Sequence, residues 1–532
     1  MGMTDYVALV PEDGAGAVGP GLADRLAGLA GRERLAFPPL GADPAGLAGV
    51  LLLCPGRPGT VTVNGRPATP LWRRGGRLLF SPELFRRHEN VVALGRGAGE
   101  PRLAPVVADA GRVRDLDLWP ETAWRMETLS GADLGPAPVR SHAPAAAPGL
   151  LDGLARGLAA MVAPDGEVWS FYDLEAATFR LSGWRWDTGI VLEGLAAAAA
   201  AGIGAGSATA ARTVGDRLLA VRLADPACPG GFPEWTDLRY FPSPRRVCQW
   251  VVPFNAAFVA AGLMRLAGLT GEAAYREAAR ESLLLAAEAG LTPAGGVAGY
   301  YFEDARQWRY LGQINDSGVL GRGLALFPGE AWASTAAARA GAYILAKAAR
   351  PDGHIGRAWW DPDGARPAGA PLFPEWAKHP DRLVAKVFLR GQAWVLMGLA
   401  GAVRLGANAP LLDGARRLAD FVLAAQQADG SWRYSQKQPE LGACAKTTAA
   451  LALALAEWAR ASGDAGPLTA VSRALGYLET CRRPDVVPPE LAGMPVDTSG
   501  EGCIVYFRDR PVVCAYAGAL ELLARLAVGE RP

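Results

Sequence analysis

The most specific short pattern in the chain is Arg390-Gly391-Gln392-Ala393-Trp394. A helical register puts Arg390 and Trp394 on one face, four residues apart. A guanidinium can hold a carboxylate through two parallel hydrogen bonds, and an indole face can floor a ring. The plain alternative is an arginine paired with a structural carboxylate, and the residues leave both open. Asp316, in Gln313-Ile314-Asn315-Asp316-Ser317-Gly318, opens an apolar run and follows Trp308 and Tyr310. A carboxylic acid among aromatic rings has its pKa raised and can keep a proton for transfer near neutral pH. Asp is also a favoured N-cap, and position alone weighs the two readings evenly. Asp187, in Trp184-Arg185-Trp186-Asp187-Thr188-Gly189, has the same ambiguity at another helix start. Phe-Pro-Glu-Trp occurs twice, at Phe232 to Trp235 and at Phe373 to Trp376. Glu234 and Glu375 can form a carboxylate pair for acid–base work, although a repeated loop turn explains the tetrapeptide more simply.

Groups so far apart in sequence need a scaffold that gathers them. From about residue 148 the pattern is helical and repetitive, with segments expected at 148–163, 186–202, 207–222, 252–269, 271–289, 316–327, 331–349, 386–405, 410–427, 442–461, 466–481 and 509–528. Two kinds alternate. One is amphipathic, as in Tyr275-Arg276-Glu277-Ala278-Ala279-Arg280-Glu281. The other is small and apolar on every side, as in Leu192 to Ala201, and must be buried on every side. Amphipathic outer helices around apolar inner helices make a mainly α fold, an (α/α)6 toroid of six hairpins. A turn with Gly and then an aromatic residue follows the outer helices, as in Asp165-Gly166…Trp169, Gly295-Gly296…Tyr300, Asp352-Gly353…Trp359 and Asp429-Gly430-Ser431-Trp432. The inner starts then share one mouth: Trp186-Asp187, Trp250 through Asn255, Asn315-Asp316, Arg390 to Trp394, Lys446-Thr447 and Arg508-Asp509. The chain has 16 tryptophans, many of them in these loops, where they can stack on a sugar ring or simply pack the loops.

Residues 1 to about 120 differ. Val50-Leu51-Leu52-Leu53, Val61-Thr62-Val63 and Val91-Val92-Ala93-Leu94 are short apolar runs, and Asn64-Gly65 is a hairpin signal. A small β-sandwich is expected over 1–120, a Pro- and Ala-rich linker over 121–147, and the toroid over 148–532. Lys plus Arg is 54 and Asp plus Glu is 53, a balance that argues against a nucleic-acid groove. Seven cysteines without a C-x-x-C pair read as free thiols in a reducing compartment. No secretory signal and no membrane span is legible, so a cytoplasmic location is expected.

Arg390-Gly391-Gln392-Ala393-Trp394 before an apolar helix resembles the hallmark of the unsaturated glucuronyl hydrolases and, more loosely, of the unsaturated rhamnogalacturonyl hydrolases. Arg350-Pro351-Asp352-Gly353 through Asp361-Pro362-Asp363-Gly364, Ile314-Asn315-Asp316, Leu269-Thr270-Gly271-Glu272…Tyr275 and Trp186-Asp187-Thr188-Gly189 are similar to family segments in the same order. Val63-Asn64-Gly65-Arg66 and Glu89-Asn90-Val91-Val92 resemble the jelly-roll accessory domains of glycosidases. The resemblance implies an oligosaccharide substrate ending in a 4,5-unsaturated uronic acid, with no metal or cofactor. Asp316 would be the acid/base, Arg390 would pair with the uronate carboxylate, and Trp394 and Trp186 would stack on the ring. Trp250, Asn255, His354 and Arg357 would line the substrate site, with Asp187 a further catalytic candidate. The chain also departs from the family. The second essential Asp of the family falls near Asn255, which cannot carry charge. Its His falls near Arg357, with His354 close by, and its Asp-Ser-Ser-Ala segment reads Cys444-Ala445-Lys446-Thr447-Thr448.

Two other classes stay open. One is another enzyme on the same toroid, a two-carboxylate glycosidase or a polysaccharide lyase. Lyases on such folds rely on His and Tyr, and a sugar epimerase on a His pair; four His in the chain disfavour both. The other is a glycan-binding protein without catalysis, which Asn255 favours.

Overall fold

The computed structural model describes residues 34–37, 49–53, 61–63, 66–67, 72–74, 77–80, 90–94, 102–106, 149–174, 177–182, 185–223, 228–233, 250–251, 253–302, 307–310, 312–313, 318–356, 358–359, 389–434, 443–497 and 511–530. Two compact units are distinguished. One is Met1–Gly135 with Asp237–Gln249 and Ala370–Ala377; the other is Pro136–Thr236, Trp250–Gly369 and Lys378–Pro532.

The described residues of the first unit form short strands: β1 (Arg34–Phe37), β2 (Gly49–Leu53), β3 (Val61–Val63), β4 (Arg66–Pro67), β5 (Trp72–Arg74), β6 (Arg77–Phe80), β7 (Asn90–Leu94) and β8 (Arg102–Val106). They make two antiparallel four-stranded sheets, ordered β1-β7-β3-β4 and β5-β6-β2-β8. Val63 pairs with Arg66, which leaves two residues between β3 and β4, as Asn64-Gly65 predicts.

The second unit holds, among the described residues, α1 (Leu150–Ala160), α2 (Arg185–Ala200), α3 (Ser207–Ala220), α4 (Pro253–Thr270), α5 (Ala273–Glu288), α6 (Leu320–Leu324), α7 (Ala331–Ala348), α8 (Leu389–Arg404), α9 (Ala409–Ala424), α10 (Ala445–Ser462), α11 (Leu468–Thr480) and α12 (Ala515–Ala527). The even-numbered helices pack each against the next, and α12 packs against α2, so they close an inner ring. The odd-numbered helices lie outside it: α3 packs on α2, α5 on α4, α7 on α6, α9 on α8, α11 on α10, and α1 on α12. Nine short strands sit in the connections that lead into inner helices: β9 (Trp169–Asp173), β10 (Thr178–Ser182), β11 (Trp250–Val251), β12 (Ala298–Phe302), β13 (Gln307–Tyr310), β14 (Gly312–Gln313), β15 (Ala358–Trp359), β16 (Val496–Asp497) and β17 (Val512–Cys514).

Side-chain character decides which ring a helix joins. Outer α9 buries Leu411, Gly414, Ala415, Leu418, Ala419 and Val422, a single stripe. Inner α8 buries every residue from Leu389 to Ala402. Small residues let inner helices touch backbone to backbone. A Cβ added at Gly189 of α2 would lie 2.5 Å from backbone atoms of Phe258 and Val259 in α4. One added at Gly398 of α8 would lie 1.7 Å from the carbonyl oxygen of Gly318, just before α6.

Two helices depart from expectation. The sixth expected segment, 316–327, yields the five-residue α6; residues 316 and 317 lie outside the described residues, and the helix stops before Phe327-Pro328-Gly329. The last begins at Ala515 rather than 509, because Val512 and Val513 pair as β17 with β9 and β16 instead.

The glycine turns clasp the outer ring. After α7, the Gly353 N–H bonds to the carbonyl of Arg350 and the Arg350 N–H to that of His354; after α9, Gly430 and Gln427 repeat the pattern. Gly353 has φ 94° and Gly430 φ 90°, the left-handed region. A Cβ on either would meet the next outer helix, 2.5 Å from the Arg417 oxygen of α9 and 2.3 Å from the Arg473 oxygen of α11. The preceding Asp352 and Asp429 accept the N–H two residues on, which is why Asp precedes Gly.

Charge pins the interior of the ring. Arg322 of α6 donates to Glu193 of α2 at 2.8 and 2.9 Å and to Glu457 of α10 at 2.8–3.1 Å. Arg265 of α4 adds a 3.0 Å bond to Glu193. Burial pushes the Glu193 carboxyl up, but the two arginines outweigh it and hold it at about 2. Among the described residues no helix is long and apolar enough to cross a membrane.

Gly353→Ala is expected to cost more than about 1 kcal/mol, read as a lower urea midpoint with unchanged slope. The stabilisation from Glu193 is complete above the ordinary value of 4.5 and is lost as pH falls toward about 2. Glu193→Gln should therefore flatten the acid side of the stability–pH curve, measured by urea midpoints across that window.

Candidate functional site

Arg390 stands in the first turn of α8 and is 9% exposed. Its guanidinium carbon lies 5.8 Å from the Trp186 ring centre on α2 and 5.6 Å from that of Tyr434. Its Nη1 donates to the Tyr516 hydroxyl on α12 at 2.5 Å. The 5.8 Å between the guanidinium carbon and the Tyr516 ring centre follows from that bond. The cation meets this ring at its oxygen end, so the attraction to aromatic faces comes from Trp186 and Tyr434.

The rings support one another. Trp186 lies 4.6 Å from Tyr516, 6.4 Å from Phe258 and 6.5 Å from Trp394, centre to centre. Phe258 meets Trp394 edge-on at 5.0 Å. Thus α2, α4, α8 and α12 each place an aromatic residue from their leading turns in one group. The Tyr434 carbonyl accepts the Leu389 N–H at 3.0 Å, which satisfies an orphan donor at the start of α8.

A charged cluster lies at the neighbouring residues. Lys446 of α10 has its Nζ 3.8 Å from Asp497 Oδ2 on β16, and both side chains are almost wholly buried. The ammonium also lies 5.0 Å from the Phe171 ring centre on β9. Asp497 Oδ1 accepts the Ala445 N–H at 3.1 Å and so caps α10 from another strand. Burial pushes the Cys514 thiol well above its usual range; Asp187 and Asp497 push it the same way, and Lys446 opposes them. A guanidinium fixed among aromatic rings can receive an anionic ligand.

The sequence-predicted residues fall as follows. Trp186, Arg390 and Trp394 come together. Asp187 and Asn255 are fully buried in the first turns of the neighbouring helices α2 and α4. Trp250 lies on β11, paired with Phe302, ahead of the helix that starts at Pro253. His354 belongs to the turn after α7, with Nδ1 2.6 Å from Asp352 and its ring 5.4 Å from that of Phe421. Asp316 and Arg357 lie outside the described residues. Gln392 takes a structural part: its side-chain amide exchanges two 2.8 Å hydrogen bonds with the backbone of Ile355, tying that turn to α8.

Sequence reasoning missed Tyr434, Tyr516 and Asp497. Tyr516 had a legible signal, an aromatic residue second in an apolar inner helix, as Trp186 is in α2; the expected helix start at 509 hid it. Tyr434 and Asp497 sit in connections, where no periodicity marks a residue.

No protein-family model matches the chain, and no curated protein matches it. Solved structures do match. The unsaturated glucuronyl hydrolase of Bacillus sp. GL1 superposes with TM-score 0.53 at 16% identity, over 72% of this chain and 95% of that one. An unsaturated glucuronyl hydrolase specific for heparin gives 0.52 at 14%, over 71% and 94%. The cellobiose 2-epimerase of Bacillus thermoamylovorans B4167 gives 0.53 at 12%, over 70% and 98%. These likenesses show a shared fold.

Lys446→Met should lower stability by about 3–5 kcal/mol, because it removes the cation beside a buried carboxylate. Adding Asp497→Asn to it should recover much of that loss, measured by denaturant titration of the single and double variants.

Proposed function

We propose that the chain is a glycoside hydrolase acting on oligosaccharides that end in a 4,5-unsaturated uronic acid. The observation that carries this reading is Arg390, a guanidinium fixed within the Trp186–Trp394–Tyr516 group. A sugar ring bearing a carboxylate would meet a fork for its acid there, and Trp186, 5% exposed, beside it. Asp316 would protonate the enol-ether double bond at C4, and the same carboxylate would then take a proton from the water that adds at C5. The hemiketal so formed opens and releases the next sugar. What supports Asp316 is its neighbour two residues on: a Cβ added at Gly318 would lie 2.8 Å from the Val395 nitrogen and 3.1 Å from the Trp394 carbonyl carbon. The chain thus runs into α6 directly against the turn that carries Trp394.

Asp187 is the second carboxylate in this proposal. It precedes Gly189, which abuts Phe258, and so stands on α2 near the level of Asn255 on α4. Trp250, His354 and Arg357 are assigned to the outer part of the substrate site. The two N-terminal sheets are proposed to pack as an accessory sandwich over 1–120, joined by 121–147 to the toroid of 148–532. The enzyme is proposed to be cytoplasmic, with an oligosaccharide as its ligand, and to use no metal or cofactor.

Incubation with unsaturated disaccharides should lower the ultraviolet absorbance of the conjugated uronate. Asp316→Asn should reduce kcat/KM by about 100-fold or more, and Arg390→Met should raise KM by about 10- to 100-fold. Unchanged turnover in Asp316→Asn would leave that residue a helix cap. A rise in absorbance from an intact polysaccharide would identify a lyase instead.

A further inference from the structure

Tyr516 has no part in the chemistry above, yet its oxygen holds the group on which that chemistry depends. We propose that Tyr516 is a positioning residue that sets the plane of the Arg390 guanidinium and thereby makes the site selective for carboxylates. The inference rests on the reading of Arg390 as the carboxylate receptor.

The contacts on Arg390 divide the work. Rings at 5.6–5.8 Å attract a cation but impose little direction. A guanidinium held only that way can still turn about its own normal. The 2.5 Å hydrogen bond from Nη1 to the Tyr516 hydroxyl is directional and restricts that turning. Bidentate pairing with a carboxylate is planar, so the orientation of the fork matters where a point charge would not care.

Tyr516 is itself fixed. It is 1% exposed, and its ring sits 4.6 Å from that of Trp186. It is the second residue of α12, which follows directly on β17. That strand is paired on both sides, Val513 with Tyr172 of β9 and with Val496 of β16. The backbone that carries the phenol is therefore placed by a four-stranded sheet.

Tyr516→Phe keeps the ring against Trp186 and removes only the acceptor. Calorimetric titration of the full chain with glucuronate, and with glucose as the neutral counterpart, tests the idea. Tyr516→Phe is expected to weaken glucuronate binding about tenfold and to leave glucose binding unchanged. In an Arg390→Met background the same substitution should have no further effect on glucuronate affinity, as expected of an oxygen that acts through the guanidinium. In an Arg390→Lys background it should change affinity by less than about twofold, since an ammonium has no plane to set. Should Tyr516→Phe fold poorly, fluorotyrosine at 516 weakens the acceptor without changing the shape, and an intermediate loss is expected. Losses that add in the double variant, or that fall equally on glucose, overturn the role of Tyr516 while leaving the carboxylate receptor intact. Failure of the unaltered chain to bind glucuronate overturns both.

Discussion

Arg322 projects from the third residue of α6 into the interior of the ring and meets Glu193 of α2 and Glu457 of α10. Those three helices alternate around the ring and do not neighbour one another. A long planar cation with several donors can span such a gap, and a carboxylate on either side completes it. Taking these charges out of water is costly, and the cluster tolerates it because the guanidinium is met on both sides by carboxylate oxygens. The short α6 has little apolar surface of its own. Its place is set by this cluster and by glycine contacts with α8 at Gly318, Gly321, Gly398 and Gly401.

What the closed ring does for the site is deliver six helix starts to one end. Backbone-to-backbone contact leaves inner helices little room to slide, since Gly189 and Gly398 admit no side chain where they touch a neighbour. The connecting strands then set the final height of each start. The pairing of β17 with β9 and β16 places Cys514 and Tyr516, and the pairing of Val496 with Val513 carries Asp497 to the start of α10. The guanidinium of Arg390 is held by residues from three separate parts of the chain as a result.

One short motif serves two purposes here. Arg390 and Trp394 turn to the aromatic group, while Gln392 turns away and locks the backbone of Ile355. The first two join the aromatic group and the third ties a turn to the helix, all on a single helical turn. A toroid of this kind is shared by solved structures of unsaturated glucuronyl hydrolases and of a cellobiose 2-epimerase. The architecture therefore permits more than one reaction, and the side chains at the inner starts must decide between them. In this chain those side chains include the fully buried Asp187 and Asn255, and a buried lysine–aspartate pair at the start of α10.

Residue type was enough to assign each helix to a ring. Helices apolar on all sides can only be inner, and helices with one apolar stripe can only be outer, so the alternation of α8 with α9 was written in residue type. Asp-Gly at the outer turns was legible for the same local reason, because few residues accept a left-handed backbone. Trp186, Arg390 and Trp394 were recognisable from spacing within single turns. Tertiary structure alone decided which residues meet. Tyr516 stands 126 positions from Arg390, and Asp497 caps a helix 52 positions earlier. His354, assigned from sequence to the substrate site, also meets Asp352 of its own turn. Local rules act over a few residues of chain. A hydrogen bond between distant helices depends on ring closure and strand register, which no short window of sequence contains.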